Sequence, residues 1–428
     1  MPNDERHCWK SPSIDKVPPS ITRLKQEAYQ PQVVSFGPYH YDKVDLRPME
    51  EHKHRALLHF LKRSGKSLEC VFESLRKVAH ELEDSYDNLD QKWKDGTGGK
   101  FLELMITDGC FMLEIMRTEI SREKNNGYAP NDNNGYAPND PIFSIYRLEY
   151  IAPYIKRDML LLENQLPMLV LYQLVAIAND DKEDDVNELI GKFYFPHENK
   201  KFTGLGRCLH VMDVYRKGLL MKSEEVQHER ELEMGPEDMN ISARKTEPII
   251  RSAIELTEAG IKFKNSKTNS LKDISFARGF LKLPVIKVDD TTGSKFRNVM
   301  TFERLHIGET GNEVTSYVTF MDKIINDRKD VGLLHTEGII QNDFGSNKAV
   351  AKLFNSLCTD VTLPSNENLD GVQQNISEHC KKDRNKWRAH LNRTYFRSPW
   401  TILSLTAAIF IFALTIMQAV YAVLRYYA

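Results

Sequence analysis

The stretch IKRDMLLLENQLPMLVLYQLVAIA, from Ile155 to Ala178, decides the fold of the main part of this 428-residue chain. It is apolar on almost every side, which is typical of helices at the centre of a soluble core. Proline is not accommodated inside a helix without cost, so we predict one helix that ends near Gln165 and a second that begins at Pro167. This interruption also argues against a membrane span, which needs about 20 consecutive apolar residues.

Three polar residues, Glu163, Asn164 and Gln165, interrupt the apolar stretch. A buried amide or charge without a partner costs about 1 to 3 kcal/mol or more, so each of these side chains needs one. Two interpretations follow: a ligand-binding corner, or the capping of a neighbouring element at its end. The second is the one that we favour.

The chain upstream of this stretch has a polar beginning and then several helical patterns. Residues 1–30 have the composition of a flexible arm with little to bury, and Pro31, Gly37 and Pro38 indicate an extended or turn segment after it. Apolar residues at helical spacing then predict a helix that begins near Pro48. Further helices are predicted over residues 68–89, from 101 onward, and over 202–220, 252–261, 316–326, 331–334 and 349–357.

One part of the chain alternates with a period of two instead. The segment LKDISFARGFLKLPVIKVDD, from Leu271 to Asp290, places apolar residues at every second position around Gly279. This pattern predicts a hairpin of short strands. The predicted fold class is therefore mainly α, with residues 31–380 as a large helical soluble domain that carries a small β-hairpin element.

Two loop insertions are predicted in that domain, at about 123–140 and 222–247. The first contains a direct duplication, NNGYAPND, at Asn125 to Asp132 and again at Asn133 to Asp140. Eight residues rich in Asn, Gly and Pro are too few for a structural repeat, so we interpret the duplication as the expansion of a surface loop. The second is mostly charged, and the acidic residues 180–185 are predicted to form a solvated linker.

The chain contains no familiar catalytic or cofactor-binding motif. It has no GxSxG, HExxH or GxGxxG, and the residues around Lys94 and Phe101 do not fit a phosphate-binding loop at the Gly-rich segment between them. His52, His54 and His59 lack the spacing of metal ligands one turn apart, so we expect no metal and no cofactor. If the protein is an enzyme of another kind, the residues to test are His40, Asp108, Glu163 and Arg297.

The six cysteines are scattered, with no CxxC pair, which suits reduced thiols in the cytosol. Cys110 lies between Asp108 and Glu114, and neighbouring carboxylates raise the pKa of a thiol and deplete the reactive thiolate. We therefore expect Cys110 to be a packed core residue rather than a nucleophile.

The C-terminal stretch TILSLTAAIFIFALTIMQAVYAVL, from Thr401 to Leu424, contains no charge and is long enough to span a bilayer. Aromatic residues on both sides of it suit the two membrane interfaces. We predict a transmembrane helix over residues 399–424. The N-terminal residues carry charges throughout and no apolar core segment, so we expect no signal peptide and insertion by the C-terminal helix alone.

Charge is distributed unevenly along the chain. From Lys381 onward there are eight Lys/Arg and one acid, which leaves 50 basic and 59 acidic residues upstream, a net charge of about −9. An acidic body argues against nucleic acid as a partner. The basic flank predicts a cytosolic body by the positive-inside rule, although sequons at Asn240, Asn375 and Asn392 leave the opposite topology open.

The basic flank, residues 381–398, is predicted to form an amphipathic helix at the membrane interface, because Trp387, Leu391 and Tyr395 recur at every fourth position. Anionic lipid headgroups attract such a segment by about 1 kcal/mol per Lys or Arg. The residues expected to anchor the chain to membrane lipids are Lys381, Lys382, Arg384, Lys386, Trp387, Arg388, Arg393, Arg397 and Trp400.

A series of sequence blocks resembles one plant family, the domain of unknown function 247. The resemblance covers roughly residues 31 to 424, nearly the whole chain. The blocks are SFGPYHYD, PMEEHKHRALLHFLKR, MITDGCFMLEI, IKRDMLLLENQLPMLVL, ELTEAGIKF, LPVIKVDD, FRNVMTFER, VTSYVTFMDKIIN and WRAHLNRTYFRSPWTILSLTAAIF. Two features depart from the family: Arg304 stands after Glu303 where Gln is usual, and the duplication at 125–140 is an individual expansion.

The resemblance implies a mostly helical plant membrane protein with one C-terminal span and no established enzymatic activity. Some grass members are candidate determinants of gametophytic self-incompatibility, which implies a recognition surface on the body. We therefore expect a single-pass, membrane-anchored, non-enzymatic recognition or signalling module that contacts a protein partner through its variable loops. The alternative is a membrane-bound enzyme of unknown chemistry.

Overall fold

The computed structural model describes residues 12–23, 25–94, 99–124, 135–179, 183–222, 251–359, 367–382, 385, 387 and 399–427. The chain forms two compact units. The first comprises Met1–Glu237, Lys267–Lys272 and Val288–Thr319, and the second comprises Asp238–Ser266, Asp273–Lys287 and Phe320–Ala428.

Helices dominate both units, which confirms the predicted fold class. The α-helices in chain order are α1 Pro19–Thr22, α2 Pro48–Ser64, α3 Leu68–Arg76, α4 Ala79–Asp84, α5 Gly99–Lys124, α6 Ile145–Asp158, α7 Met168–Asn179, α8 Glu183–Tyr194, α9 Val211–Leu220, α10 Ala253–Glu258, α11 Thr292–Leu305, α12 Ile307–Thr310, α13 Glu313–Ile324, α14 Arg328–Thr336, α15 Asn347–Leu357, α16 Glu367–Lys381 and α17 Pro399–Tyr427. The strands are β1 Lys262–Asn265, β2 Ser275–Ala277, β3 Phe280–Leu283, β4 Ile286–Val288 and β5 Ile340–Asn342.

The first unit is built around α5, which contacts α2, α3, α6, α7 and α8. Almost all of its side chains from Phe101 to Met116 are buried, as the apolar sequence of this helix requires. Helix α2 begins at Pro48, as predicted, because proline suits the first helical position and Glu50 and Glu51 favour the positive end of the helix dipole. Helix α7 lies in the same core, as the apolar stretch from Ile155 to Ala178 predicts.

The N-terminal segment differs from the prediction of an arm with little to bury. Ile14, Val17 and Tyr29 are all buried, and Ile14 forms a parallel β-bridge with Tyr86. These apolar residues are too widely spaced to produce a helical or strand pattern, so sequence periodicity does not detect them. Residues 1–11 lie outside the described part of the chain.

The second unit contains a three-stranded sheet in the order β1-β3-β2 and a pair of strands, β4 and β5. Strands β2 and β3 form the predicted hairpin, and they pair antiparallel with Phe276 opposite Leu281. Its turn residues, Arg278 and Gly279, both have positive φ angles, of 51° and 81°. This is the backbone geometry that a two-residue hairpin requires, and it explains why glycine occupies the second position.

Several element boundaries differ from the predictions. The helix expected to end near Gln165 ends at Asp158, the run over 68–89 is divided into α3 and α4, and residues 202–210 precede α9 without being helical. Residues 183–185, expected in an acidic linker, begin α8. Most of the insertion at 123–140 and all but the first residue of the one at 222–247 lie outside the described residues.

Candidate functional site

The polar residues after α6 bind backbone rather than a ligand, which corrects the idea of a ligand-binding corner. Asn164 Oδ1 accepts a hydrogen bond of 2.8 Å from the Phe36 N–H, and its Nδ2 donates to the Val34 carbonyl at 3.0 Å. Gln165 Nε2 donates to the carbonyls of Met159 and Leu161, at 2.7 and 2.8 Å. Both side chains therefore satisfy backbone groups that would otherwise be buried without partners.

Asp158, the last residue of α6, holds the same upstream segment. Its Oδ2 accepts from the backbone N–H groups of Gln32, Val33 and Val34, at 3.0, 2.7 and 3.1 Å. Arg157 donates to Oδ1 at 2.6 Å. Burial raises the pKa of Asp158, while the three N–H groups and Arg157 oppose that shift.

Asp108 of α5 binds the next part of the same upstream segment, at Gly37. Its Oδ2 accepts from the Gly37 N–H at 2.8 Å, and its Oδ1 lies 2.7 Å from Lys53 Nζ; both charged side chains are fully buried. A Cβ on Gly37 would lie 2.9 Å from the Gln165 carbonyl oxygen, so only glycine fits this approach. Burial raises the pKa of Asp108 to about 6, although Lys53 acts to lower it.

His40 and Glu163 are two of the four residues named as candidates for catalysis, and they lie side by side. His40 Nε2 is buried 3.6 Å from Glu163 Oε2, and it has no hydrogen-bond partner within the described part of the chain. Burial, with a smaller effect of Lys43, lowers the pKa of His40 to about 3. Glu163 also accepts the Val17 N–H at 2.8 Å through its other oxygen, and burial raises its pKa.

The other two candidates are engaged elsewhere. Asp108 is held by Lys53 and Gly37, and Arg297 of α11 acts electrostatically on the Tyr29 phenol. The structure thus brings together His40 and Glu163 of the four residues. The imidazole of His40 is neutral at physiological pH. The 3.6 Å between His40 Nε2 and Glu163 Oε2 is longer than a hydrogen bond.

The residues that could have held a metal or acted as a nucleophile have other roles. Cys110 is buried in α5, and burial raises the pKa of its thiol, as expected for a core cysteine. His59 pairs with Glu114 at 2.8 Å. Within the described residues, no group of three or more His, Cys, Asp or Glu side chains could hold a metal ion.

An exposed row of tyrosines on α6 is the feature that sequence analysis missed. The side chains of Tyr146, Tyr150 and Tyr154 are 83%, 82% and 45% exposed, while Leu148 and Ala152 of the same helix are buried. Residues four apart lie on one face of a helix, so the three form a single stripe. The four-residue spacing of the tyrosines is visible in the sequence, but the same spacing is equally typical of aromatic residues that pack in a core. The sequence alone therefore does not indicate that the stripe is exposed.

The stripe follows the duplicated loop directly in the chain, and the end of that loop is fixed to the body. Tyr136 stacks between His59 and Phe143, with ring centroids 4.1 and 4.0 Å apart. Asp140 is buried and accepts from the Ile142 N–H at 2.9 Å. The described end of the loop and the tyrosine stripe therefore belong to one ordered surface segment of the first unit.

One helix among the described residues, Thr406–Arg425 within α17, is by itself long and apolar enough to cross a membrane, and none of it is buried. The pair Ile145–Asp158 and Leu162–Ala178 meets the criterion only as a combined segment, and it is bent by 115°. Since α7 is packed in the core, we interpret that pair as part of the soluble fold.

The predicted anchoring residues are only partly within the described chain. Lys381 and Lys382 are exposed at the end of α16, Trp387 is exposed, and Trp400 belongs to α17. The remaining predicted anchors, and most of the helix predicted over 381–398, lie outside the described residues: Arg384, Lys386, Arg388, Arg393 and Arg397.

Comparisons with known proteins place this chain in a family. The chain is 31% identical to UPF0481 protein At3g47200 of Arabidopsis thaliana, over 96% of this chain and 86% of that protein. It is 21% identical to the putative UPF0481 protein At3g02645 of the same plant, over 95% of this chain and 89% of that protein. No solved structure matches the chain. Residues 14–414 match the family DUF247, described as plant protein of unknown function, and the chain belongs to that family.

Proposed function

We propose that this protein is a single-pass membrane protein whose helical body is a non-enzymatic recognition module for a protein partner. The unburied helix Thr406–Arg425 supports the membrane attachment. It presents large apolar side chains to its surroundings throughout its length, and burial in a bilayer is the simplest way to remove them from water. Pollen–stigma self-incompatibility, which the resemblance to grass members suggests, is the specific setting that we propose for the recognition.

We propose a cytosolic body and an orientation set by the basic flank. Eight of the chain's Lys and Arg residues follow residue 380, and seven of them precede the helix. Basic residues next to a span are retained on the cytosolic side. The membrane that we propose is the plasma membrane or an endomembrane.

The tyrosine stripe of α6 is the observation that carries the proposed recognition function. Tyrosine is enriched at protein interfaces because it combines a large apolar ring with a hydroxyl group and loses little conformational entropy on binding. Tyr146 and Tyr150 expose most of their surface, and nothing in the described part of the first unit covers them. The stripe is presented by a helix packed on α5, so a partner would meet a rigid surface.

The experiment is partner capture from detergent-solubilised native membranes by the full-length chain. The variant Tyr146→Ala/Tyr150→Ala/Tyr154→Ala is compared with Val44→Ala/Leu58→Ala, which removes two exposed apolar side chains elsewhere. We expect the tyrosine variant to lose a partner that the wild type and the control retain, with unchanged thermal unfolding. Retention of every partner by the tyrosine variant would contradict the proposal.

One observation favours a second candidate function, a membrane-bound enzyme. Among the described residues His40 Nε2 has no hydrogen-bond partner and lies 3.6 Å from the Glu163 carboxylate, which leaves this nitrogen free to bond a substrate. Untargeted metabolite profiles of membranes that contain the wild type or Glu163→Gln distinguish the two functions. A metabolite that accumulates only with the variant would support the enzyme, and identical profiles would support the recognition module.

A further inference from the structure

The three-stranded sheet of the second unit has one apolar face and one basic face. Phe263, Leu281 and Leu283 are buried on one side. Side chains alternate along a strand, so the residues between them point to the other side. In the register of the sheet, Lys262 of β1 lies beside Phe280 of β3, and Lys264 lies beside Lys282.

We call Lys262, Lys264 and Lys282 the basic sheet face. All three side chains are exposed, and within the described residues none of them forms an ion pair with an acidic side chain. Lys264 Nζ lies 4.4 Å from the centre of the half-buried Phe280 ring, and Lys262 Nζ lies 5.9 Å from it. An aromatic ring among unpaired cations is a combination suited to an anionic, partly apolar interface.

The basic sheet face is connected closely to the membrane-proximal part of the chain. Helix α16 packs against β2, and the His379 ring contacts Phe276 with centroids 5.4 Å apart. This helix ends at Lys381, and 17 residues separate Lys381 from Pro399, where α17 begins. Even fully extended, such a connection spans no more than about 60 Å, so the sheet is tethered near any bilayer that contains α17.

We propose that the basic sheet face docks on the anionic phospholipid headgroups of the leaflet from which α17 emerges. This inference rests on the membrane attachment proposed above. Charge complementarity selects the occupant: exposed lysines held within reach of a membrane are attracted to its negative surface, and the attraction decays within a Debye length. Docking would fix the orientation of the second unit relative to the membrane, which a single span alone would leave free.

The test uses the full-length chain in vesicles of neutral phosphatidylcholine, with or without phosphatidylserine. A membrane-impermeant amine reagent labels exposed lysines, and mass spectrometry measures each site. We expect phosphatidylserine to slow the labelling of Lys262, Lys264 and Lys282 by about fivefold each and high salt to reverse the effect. Lys329, Lys348 and Lys352, exposed on α14 and α15 of the same unit, should be labelled equally in both vesicles.

A pair of charge-reversal variants gives an independent readout. Over residues 262–283 we expect amide hydrogen exchange to be slower in phosphatidylserine vesicles than in neutral vesicles. This should hold for the wild type and for the control variant Lys329→Glu/Lys348→Glu/Lys352→Glu. The variant Lys262→Glu/Lys264→Glu/Lys282→Glu should lack this protection, and its exchange in neutral vesicles shows whether it is folded.

The outcomes separate this inference from the proposed function. If the chain resists alkaline extraction but its sheet lysines are labelled equally in both vesicles, lipid docking is wrong and the membrane attachment stands. If alkaline treatment extracts the chain, both are wrong. Protection by a soluble acidic polypeptide in neutral vesicles, without protection by phosphatidylserine, would assign the face to an acidic protein and overturn the proposal.

Discussion

At the scale of single residues, Lys53 and Asp108 hold opposite charges in the middle of the first unit, 2.7 Å apart and fully buried. Removing one partner of a buried pair leaves an uncompensated charge, which typically costs about 3 to 5 kcal/mol. We predict this loss in the free energy of unfolding for Lys53→Met, measured by denaturant in detergent micelles. The double variant Lys53→Met/Asp108→Asn should recover most of it, because no buried charge then remains unpaired.

The pKa of Asp108 gives this pair a defined pH dependence. Burial raises it to about 6, from the 3.8 of an ordinary aspartate. The folded state therefore binds the proton first, and Asp108 contributes more stability as pH falls from about 7 to about 4. Lys53 lowers the pKa of Asp108, so removal of Lys53 should raise this pKa further. The gain in stability on acidification should then begin at a higher pH. We expect the deficit of Lys53→Met to shrink between about pH 7.5 and 5.5; a deficit that grows in acid would contradict the assignment.

Glu303 and Arg304 are adjacent in sequence but differ in role. Glu303 is buried and accepts from Arg216 Nε at 2.8 Å and from the N–H groups of Val314 and Thr315, at 3.1 and 2.8 Å. We predict that Glu303→Gln costs about 1 to 3 kcal/mol of stability, because the neutral amide has one acceptor oxygen and no charge, while Arg216 keeps its ion pair with Glu313. Arg304 is exposed, so Arg304→Gln should change stability by less than about 0.5 kcal/mol. Equal losses in denaturant unfolding of the two variants would refute this distinction.

The roles of the polar residues could be predicted from the sequence only in part. That Asn164 and Gln165 need partners follows from their apolar neighbours, and the preference for a capping role is confirmed by their backbone bonds. Their partners lie as far as 130 residues away in the chain, at Val34 and Phe36, and no local pattern indicates such contacts. For the same reason, the pairing of His40 with Glu163 could not be predicted.

At the scale of elements, the close contact of α5 with α7 depends on Gly109. A Cβ at this position would lie 2.6 Å from Leu174 Cδ1 and 2.9 Å from Val170 Cγ1. We predict that Gly109→Ala destabilises the fold by about 1 to 3 kcal/mol, because overpacking outweighs the gain in helix propensity. At Gly371 of α16, no atom of the described residues lies within 4 Å of such a Cβ, so Gly371→Ala should stabilise the fold by about 0.5 to 1 kcal/mol. A stabilised Gly109→Ala in thermal unfolding would show that the two helices can separate freely.

Helix and strand types were predictable wherever periodicity is strong, and boundaries were not. The start of α2 and the hairpin at Gly279 follow from local rules for proline and for turns. The end of α6 does not follow from a local rule. Asp158 is the last residue of this helix, and its side chain binds the backbone of residues 32–34, which are distant in the chain. The boundary between α3 and α4 could not be predicted either, because no proline or glycine lies between these helices.

At the scale of the whole molecule, composition and periodicity predicted a mainly helical body and one apolar C-terminal helix, and both are present. They did not predict two compact units, because each unit is assembled from segments that are distant in sequence. Nor did they predict the basic sheet face. Its lysines alternate with apolar residues as in any half-exposed strand, and their convergence depends on the parallel pairing of β1 with β3.

We propose that α17 holds the body at a membrane, with the body in the cytosol. The direct measurement is protease protection of the full-length chain, tagged at either end, in sealed vesicles from plant cells, with alkaline extraction of the same vesicles. We predict that the C-terminal tag is protected, the N-terminal tag is digested, and the chain stays with the membrane. Release of the chain by alkali would contradict the membrane span, and protection of the N-terminal tag with digestion of the C-terminal one would contradict the cytosolic body.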